Sequence, residues 1–415
     1  MRSLLRVFPN QFFADLAILG LIVGLVTSKV VLSVATIMLM CNAFINIRAG
    51  QNMKTWLRDP VAIWCLAVFG IYLISGFWSD DIGYWVDRCR MKLPFLALPL
   101  GFVAVKQLSK EAFHRWLAIY VWVIACTSLI MLVNYLFHYQ SLNEALTYGH
   151  PIPAPLRDHI RFSLELAFAI IVAGYLFVQK VTIYTANKPY LYAILSGFMV
   201  ICIHVFAVRS GIITLYIALC IVLIHLAFLH KKYVQAIAGL SLIICIAWAS
   251  VHFIPSLSAR MGYFKYELAL IRSGQINPEH SDAQRLLSMQ YGLTVADKAL
   301  VLGVGAGDIR DKMVEQYEMH TQSDKVQSKM PHNQYIYFLA ATGIVGLAIF
   351  MVSAIYPWMS RGRYKNLLFT VFLSMMMVSF MAEHTLEIQL GTAYYLLFLL
   401  LIRKFIDDNP EPVYA

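Results

Sequence analysis

The chain has 415 residues, of which 60% are hydrophobic and 13% charged, and its mean hydropathy is +0.67. So little polar side chain cannot cover a globule of this length, which excludes a soluble enzyme and predicts a polytopic membrane protein. The formal charge of +10 does not point to nucleic acid as a partner, because no basic run exceeds His230-Lys231-Lys232 and the cations sit in short loops between apolar segments.

The opening "MRSLLRVFPNQFFADLAILGLIVGL" has a basic start and an apolar run but no small-residue cleavage site, so a retained first helix is expected. Stretches near the roughly 20 residues needed to cross a bilayer then follow at 11–27, 30–47, 60–78, 93–108, 113–137, 161–179, 189–208, 211–229, 233–253, 333–356, 365–382 and 388–406. The expectation is an all-α polytopic membrane protein of about twelve transmembrane helices, a single membrane domain over 1–415. The seven cysteines, at 41, 65, 89, 126, 202, 220 and 245, stand singly with no CxxC and no metal-ligand spacing. They predict neither a disulfide nor a zinc site.

With the N-terminus placed in the cytoplasm, alternate loops collect Arg2, Arg6, Arg48, Lys54, Arg58, Lys106, Lys110, Arg115, Lys180, Lys188, Lys231, Lys232, Arg361, Arg363, Lys365, Arg403 and Lys404 on one side. The short loops of the other side hold Lys29, Arg88, Arg90, Lys92, Arg157, Arg161 and Arg209. Seventeen cations against seven is a positive-inside bias that puts both termini in the cytoplasm. The same parity places the one long segment, 254–331, between the ninth and tenth spans on the outer side. In it "SDAQRLLSMQYGLTVADK", with Ser281 as a cap, and "AGDIRDKMVEQYEMH" predict two helices.

Several outer residues carry chemistry. The apolar run Tyr190 to Leu229 is long enough for two spans, so the chain must turn near its middle; "RSG", with Gly211, is the expected turn and leaves Arg209 at the outer mouth. A charged side chain deep in a bilayer costs about 2.5–3.5 kcal/mol, and the alternative to an anionic ligand is an arginine snorkelling at a helix end. In "MPHNQYIYFLAATGIVGLAIF", Pro331 suits a first helical turn and His332 lies close to the helix N-terminus, where a neutral imidazole able to accept a proton is favoured, as is a nearby anion. A histidine merely capping the helix is the alternative. "ALVLGVGAGDIRD" lacks the alternating strands and helices of a dinucleotide site, so Gly303, Gly305 and Gly307 are expected to serve tight turns or close backbone approach.

"SDDIGYWVDRCRMKL" carries Arg88 and Arg90 among acids, the pattern of a solvated loop or of a phosphate or sugar contact. "PLRDHIRFSLELAF" brings His159 and Arg161 to the entrance of the sixth span. In the last outer turn, "MAEHTLEIQLG", the residues Glu383, His384 and Glu387 are costly unless paired, so one of them is expected to hold His332 or an arginine.

An arginine in "VRSG", an outer loop with "QRLLSMQYGL" running into "LGVGAGD", and "PHNQYIYFLAATGIVGL" at the next span resemble the O-antigen ligase and polymerase superfamily, most closely the ligases. The resemblance is strongest from Val208 to Gly346, and "WSDD" after the third span extends it loosely. It implies a glycosyltransferase of the bacterial inner membrane, with a periplasmic active site. Such an enzyme moves a glycan from undecaprenyl diphosphate, a lipid-linked oligosaccharide donor, to the lipid A core acceptor. By motif, the diphosphate-binding arginines map onto Arg209 and Arg285 and the essential histidine onto His332, with Asn333 beside it as a supporting residue.

The chemistry of the residues agrees. Planar guanidinium groups can neutralise a departing diphosphate without a metal or other cofactor, and no DxD motif of the kind that holds a nucleotide-sugar metal is present. A single displacement with His332 as base predicts inversion, whereas a covalent route would need Glu383 or Glu387 as nucleophile. The alternatives are an O-antigen polymerase, a protein O-glycosyltransferase and, from another class, a multispan transporter or lipid flippase, whose polar residues would lie near the membrane midplane.

Overall fold

A computed structural model describes residues 10–45, 49–229, 231–275, 280–320 and 328–410. Arg2, Arg6 and Arg48 of the sidedness argument, and His230, lie outside the described residues. In chain order the helices are α1 (Asn10–Thr27), α2 (Lys29–Ile45), α3 (Ala49–Arg58), α4 (Pro60–Ile74), α5 (Ile82–Lys92), α6 (Pro94–Val103), α7 (Lys110–Phe137), α8 (Tyr139–Thr147), α9 (His159–Val178), α10 (Tyr190–Val205), α11 (Arg209–Phe228), α12 (Tyr233–Phe253), α13 (Pro255–Arg272), α14 (Ser281–Lys298), α15 (Ile309–His320), α16 (Gln334–Met359), α17 (Leu367–Ala382) and α18 (Gln389–Asp408). There is no strand among the described residues, as the composition led us to expect.

Every expected span lies on a helix, but the count of twelve is not confirmed: among the described residues seven helices are long and apolar enough to cross a membrane, eight if the bent pair α2 and α3 is one span. The apolar helices α1, α10 and α17 are shorter than that. The expected fourth span is α6, a helix of 10 residues with Pro99 inside it. At 1.5 Å per residue it is about 15 Å long, half of a hydrocarbon core.

Contacts divide the chain into two compact units. One comprises Met1–Ser109, Asn277–Arg363 and Phe380–Pro410, the other Lys110–Ile276 and Tyr364–Ser379. In the first unit α4 runs antiparallel to α16 and α18. At one end Arg403 grips Asp59, the N-cap of α4, through two bonds of 2.7 Å, and Arg363 pairs with Asp407 at 2.7 Å. At the other end Tyr72, in the last turn of α4, packs its ring against Phe338 of α16 and donates its hydroxyl to Glu387, in the turn before α18.

The helix α16 is broken at Gly343, whose φ of +66° is left-handed. A break in an apolar helix frees backbone groups that lipid cannot satisfy. Here the segment after α14 satisfies them: Val304 and Gly305 N–H donate to the carbonyls of Ala340 and Ala341 at 2.9 and 3.0 Å, and Ile344 N–H donates to the Leu300 carbonyl at 2.8 Å. Gly303 is needed because a Cβ there would lie 2.4 Å from the Ala341 carbonyl carbon. The glycines of "LGVGAG" therefore serve close backbone approach, as expected. Asp308 completes the junction by accepting from the backbone N–H groups of Asp80 and Asp81, at 2.9 Å each.

The acidic and basic stretch after α4 is a helix, α5, which corrects the solvated-loop reading. Asp81 caps it through Tyr84 N–H at 2.9 Å, and Trp85 Nε1 donates to the Tyr72 carbonyl at 2.8 Å. Its last residue, Lys92, is fully buried. Lys92 Nζ, Gln334 Nε2 and the Tyr72 hydroxyl donate to Glu387 Oε1 at 2.6, 2.8 and 2.9 Å, and Lys92 also donates to the Leu386 carbonyl at 2.6 Å. Gln334 Oε1 in turn accepts from Leu386 N–H at 2.7 Å. The 3₁₀ turn Thr385–Glu387 is thereby fixed to the start of α16.

Burial alone would raise the Glu387 carboxyl, but the Lys92 ammonium and the Arg88 guanidinium outweigh it and hold the carboxyl below its usual range. Burial pulls Lys92 down to about 8 against the attraction of Glu387, so both groups are charged near neutrality.

In the second unit α9 packs against α7, α10 and α11. The expected turn at "RSG" is displaced. The chain turns at Phe206–Val208 with Ala207 in the left-handed region (φ +53°), and Arg209, Ser210 and Gly211 already belong to α11. Gly211 serves helix packing instead, since a Cβ there would meet Ser163 Oγ at 2.7 Å. In the segment 254–331 α14 and α15 are helical as expected and α13 is a helix that the sequence reading did not name, while α14 is capped at His280, not Ser281. Residues 276–279 and 321–327 of that segment lie outside the described residues.

Removing one partner of a buried ion pair leaves the other uncompensated. Lys92→Met is expected to cost about 3–5 kcal/mol in thermal or denaturant unfolding of the detergent-solubilised chain, and Lys92→Met/Glu387→Leu to recover much of that loss. Because its folded-state carboxyl is depressed, the contribution of Glu387 is present above the ordinary carboxylate range, about pH 4.3, and is lost as pH falls through the lower folded value. A Lys92→Met chain as stable as the parent would contradict the assignment.

Candidate active site

Three segments of the first unit meet at the site. The helix α14 brings Arg285 from its second turn. The approach to α16 brings His332, and the end of α17 with the turn after it brings Glu383 and His384. Pro331 and His332 lie just outside α16 rather than in its first turn: Asn333 is the N-cap, its side-chain oxygen accepting from the N–H groups of Tyr335 and Ile336 at 2.9 and 3.1 Å. A short polar side chain at that position satisfies donors which have no partner within the helix. The Asn333 amide also donates to the Met381 carbonyl at 3.0 Å, tying the cap to α17.

Local contacts align His332 with α14. Its backbone N–H donates to Ser288 Oγ at 3.1 Å, and that hydroxyl donates to the Arg285 carbonyl at 2.8 Å. Gly292 permits the approach, since a Cβ there would lie 2.6 Å from the Pro331 ring.

Glu383 is the hub. Arg285 Nη2 donates to its Oε1 at 2.9 Å, and its Oε2 lies 3.0 Å from His332 Nδ1. The carboxylate is buried while the Arg285 side chain keeps 30% of its surface exposed. A carboxylate beside a guanidinium only accepts, so in the neutral imidazole the hydrogen belongs on Nδ1 and Nε2 carries the lone pair. The His384 ring lies edge-on to His332, with centroids 5.3 Å apart, and is stacked on Tyr337 at 6.2 Å. This is the geometry of a positioned base: an acceptor nitrogen, a hydrogen-bonded orienting carboxylate and a half-exposed cation next to it.

Of the residues singled out in the sequence, Arg285, His332, Asn333 and Glu383 come together here, and Glu383 holds both the histidine and the arginine. Glu387 is committed to Lys92 and does not face His332. Arg88 belongs to the same support: its Nη1 donates to the Glu387 carbonyl at 3.3 Å and its guanidinium lies 4.6 Å from the Tyr84 ring centroid. Arg90 is exposed and meets only Asp87, at 3.8 Å, among the contacts described.

Arg209, His159 and Arg161 are in the second unit. Arg209 opens α11 with its guanidinium 4.7 Å from the centroid of the Phe264 ring. His159 is the first residue of α9, and Arg161 is buried and pairs at 3.5 Å with Asp158, the cap of that helix. His204, within α10, is packed in place by the Val200 carbonyl and the Tyr216 hydroxyl, at 2.7 Å each.

Sequence reasoning passed over Lys92, Gln334 and Ser288. Lys92 counted there only as a loop cation. The signal was its position directly before the apolar run from Leu93, which obliges it to be buried and paired. Gln334 and Ser288 sit inside "PHNQ" and "RLLSMQ", where attention went to the titratable neighbours.

No curated protein matches the chain. Residues 193–351, less than half of it, match the family model described as O-antigen ligase. The matched segment runs from α10 into α16 and includes Arg209, Arg285 and His332, while Glu383 and Lys92 lie beyond it. Over that segment the chain is similar to the O-antigen ligase family, and its series of apolar helices makes it a multi-pass membrane protein.

Proposed function

We propose that the chain is an O-antigen ligase that moves a glycan from undecaprenyl diphosphate to the lipid A core oligosaccharide, on the periplasmic face of the bacterial inner membrane, with both termini cytoplasmic. The observation that carries this reading is the Arg285–Glu383–His332 series, with bonds of 2.9 and 3.0 Å about one buried carboxylate.

In the proposed reaction an acceptor hydroxyl gives its proton to His332 Nε2 as its oxygen bonds to the anomeric carbon. The bond from that carbon to the diphosphate oxygen breaks, and the electron pair leaves with the diphosphate. Glu383 stabilises the imidazolium that forms, as the orienting carboxylate of a triad does. Arg285 Nη2 donates to Glu383 and Nη1 lies 3.7 Å from Asp282, which leaves the remaining N–H donors for phosphate oxygens. Arg209 is proposed as a second diphosphate ligand, with its own test.

Attack opposite the departing diphosphate inverts the anomeric centre. Both oxygens of Glu383 are occupied, and Glu387 is held through its Oε1 by Lys92, Gln334 and Tyr72, an arrangement that supports direct displacement over a covalent intermediate on Glu383. The diphosphate charge is met by arginine, so no divalent metal is required in this mechanism.

Removing a positioned base typically costs 10²–10⁴-fold, so His332→Ala is expected to lower ligation by about that factor and Glu383→Gln by a smaller one, with insertion and yield unchanged. Arg285→Lys and Arg209→Lys should each abolish ligation, because an ammonium cannot make paired hydrogen bonds to a diphosphate. Near-normal activity in either lysine variant would remove that arginine from the donor site. A chelator should leave activity intact; loss restored by divalent metal would contradict the mechanism.

Gel analysis of lipopolysaccharide after gene deletion decides between ligase and polymerase. A bare core with carrier-linked polymer accumulating supports ligation. A core bearing a single repeat unit means polymerisation instead.

A further inference from the structure

The residues that prepare His332 as a base also form a set of transition-metal ligands. His332, Glu383 and His384 each offer a nitrogen or oxygen donor, and the three donor atoms lie within 4.8 Å of one another. Two imidazoles and a carboxylate are the donor set of many zinc sites. Unlike an exposed acidic cluster, this one is centred on a carboxylate that is 1% exposed.

The geometry is close to what a metal needs. His332 Nδ1 and Glu383 Oε2 are 3.0 Å apart. Zinc–nitrogen and zinc–oxygen bonds are about 2.0–2.2 Å, so an ion between these two atoms would subtend about a right angle, and a small opening gives the tetrahedral value. His384, edge-on to His332, holds a ring nitrogen within 4.8 Å of the other two donor atoms and supplies the third. Arg285 bonds to the other oxygen, Oε1, and remains there as the outer partner that orients a ligating carboxylate.

We propose that His332, Glu383 and His384 bind a single Zn²⁺ ion, and that the bound ion switches the site off. This rests on the reading of His332 as the base. Zinc at Nδ1 takes the place of the hydrogen shared with Glu383, and that hydrogen moves to Nε2, so no proton is lost overall. Nε2 then has no lone pair with which to accept the proton of an attacking hydroxyl. The metal acts through the tautomer of one ring, and its effect is opposite in sign to that of a catalytic metal.

The test uses the full chain in detergent with Zn²⁺ alone, and Co²⁺ as its visible-spectrum reporter. We expect one Zn²⁺ per chain by calorimetry, an intense four- or five-coordinate Co²⁺ absorption band, and at least a 10-fold loss of affinity in both His384→Ala and His384→Gln. No stoichiometric binding, a weak six-coordinate Co²⁺ spectrum, or affinity unchanged in both variants would overturn the site.

In a transferase assay Zn²⁺ should inhibit the parent chain, chelator should restore it, and the His384 variants should need at least 10-fold more Zn²⁺ for the same inhibition. Parent activity untouched at saturating Zn²⁺ would overturn the switch. The binding measurements require no glycan substrate, so a chain that binds zinc at these residues but transfers no glycan keeps the zinc site and overturns both the glycosyltransferase reading and the switch that rests on it.

Discussion

One buried carboxylate organises the site. Glu383 has an arginine on one oxygen and a histidine on the other, and each neighbour determines the state of the group. Beside the guanidinium the carboxylate only accepts, and it fixes the hydrogen of the neutral imidazole on Nδ1 of His332. Nε2 is then the only nitrogen of that ring left to accept a proton. Without the carboxylate the imidazole would be free to take either tautomer, and Arg285 would lose the partner that holds it against α17.

Most of the surrounding structure keeps that carboxylate in place. The broken helix α16 is stabilised because the glycine segment after α14 takes up its freed backbone groups, and this fixes α14, which carries Arg285, relative to the residues that follow His332. The buried Lys92–Glu387 pair fixes the turn just beyond Glu383, and Gln334 links that pair to the first turn of α16. Each device brings backbone or charge into an apolar interior. Each is satisfied by hydrogen bonds from a different element, so the elements cannot move independently.

The helical class and the location of nearly every long apolar helix were legible in the sequence, because apolar length is a strong signal, whereas the more polar α3, α5, α8 and α13 were not. The number of spans was not: apolarity distinguishes buried from wet but not a crossing helix from the short, fully packed α6, whose Pro99 gave the only hint. His332 was legible because a membrane protein has few reasons to keep such a residue beside an apolar run, whereas Arg285 was reached only through the motif "QRLLSMQYGL" that carries the family resemblance. That one of Glu383, His384 and Glu387 would hold the histidine was also legible, but which one was not. The answer depends on Lys92 claiming Glu387, a contact across 295 positions that no local pattern encodes. Gly211 was read as a turn because glycine favours turns, whereas packing against Ser163 set its role and Ala207 made the turn.

The central claim concerns one proton, and nitrogen-15 magnetic resonance of histidine-labelled chain, with His332 assigned by difference against His332→Ala, observes it directly. The account predicts that in the resting protein His332 is hydrogen-bearing at Nδ1 and bare at Nε2, and that Glu383→Gln abolishes this preference. A His332 ring found with its hydrogen on Nε2, or one unaffected by the loss of the Glu383 charge, would contradict it.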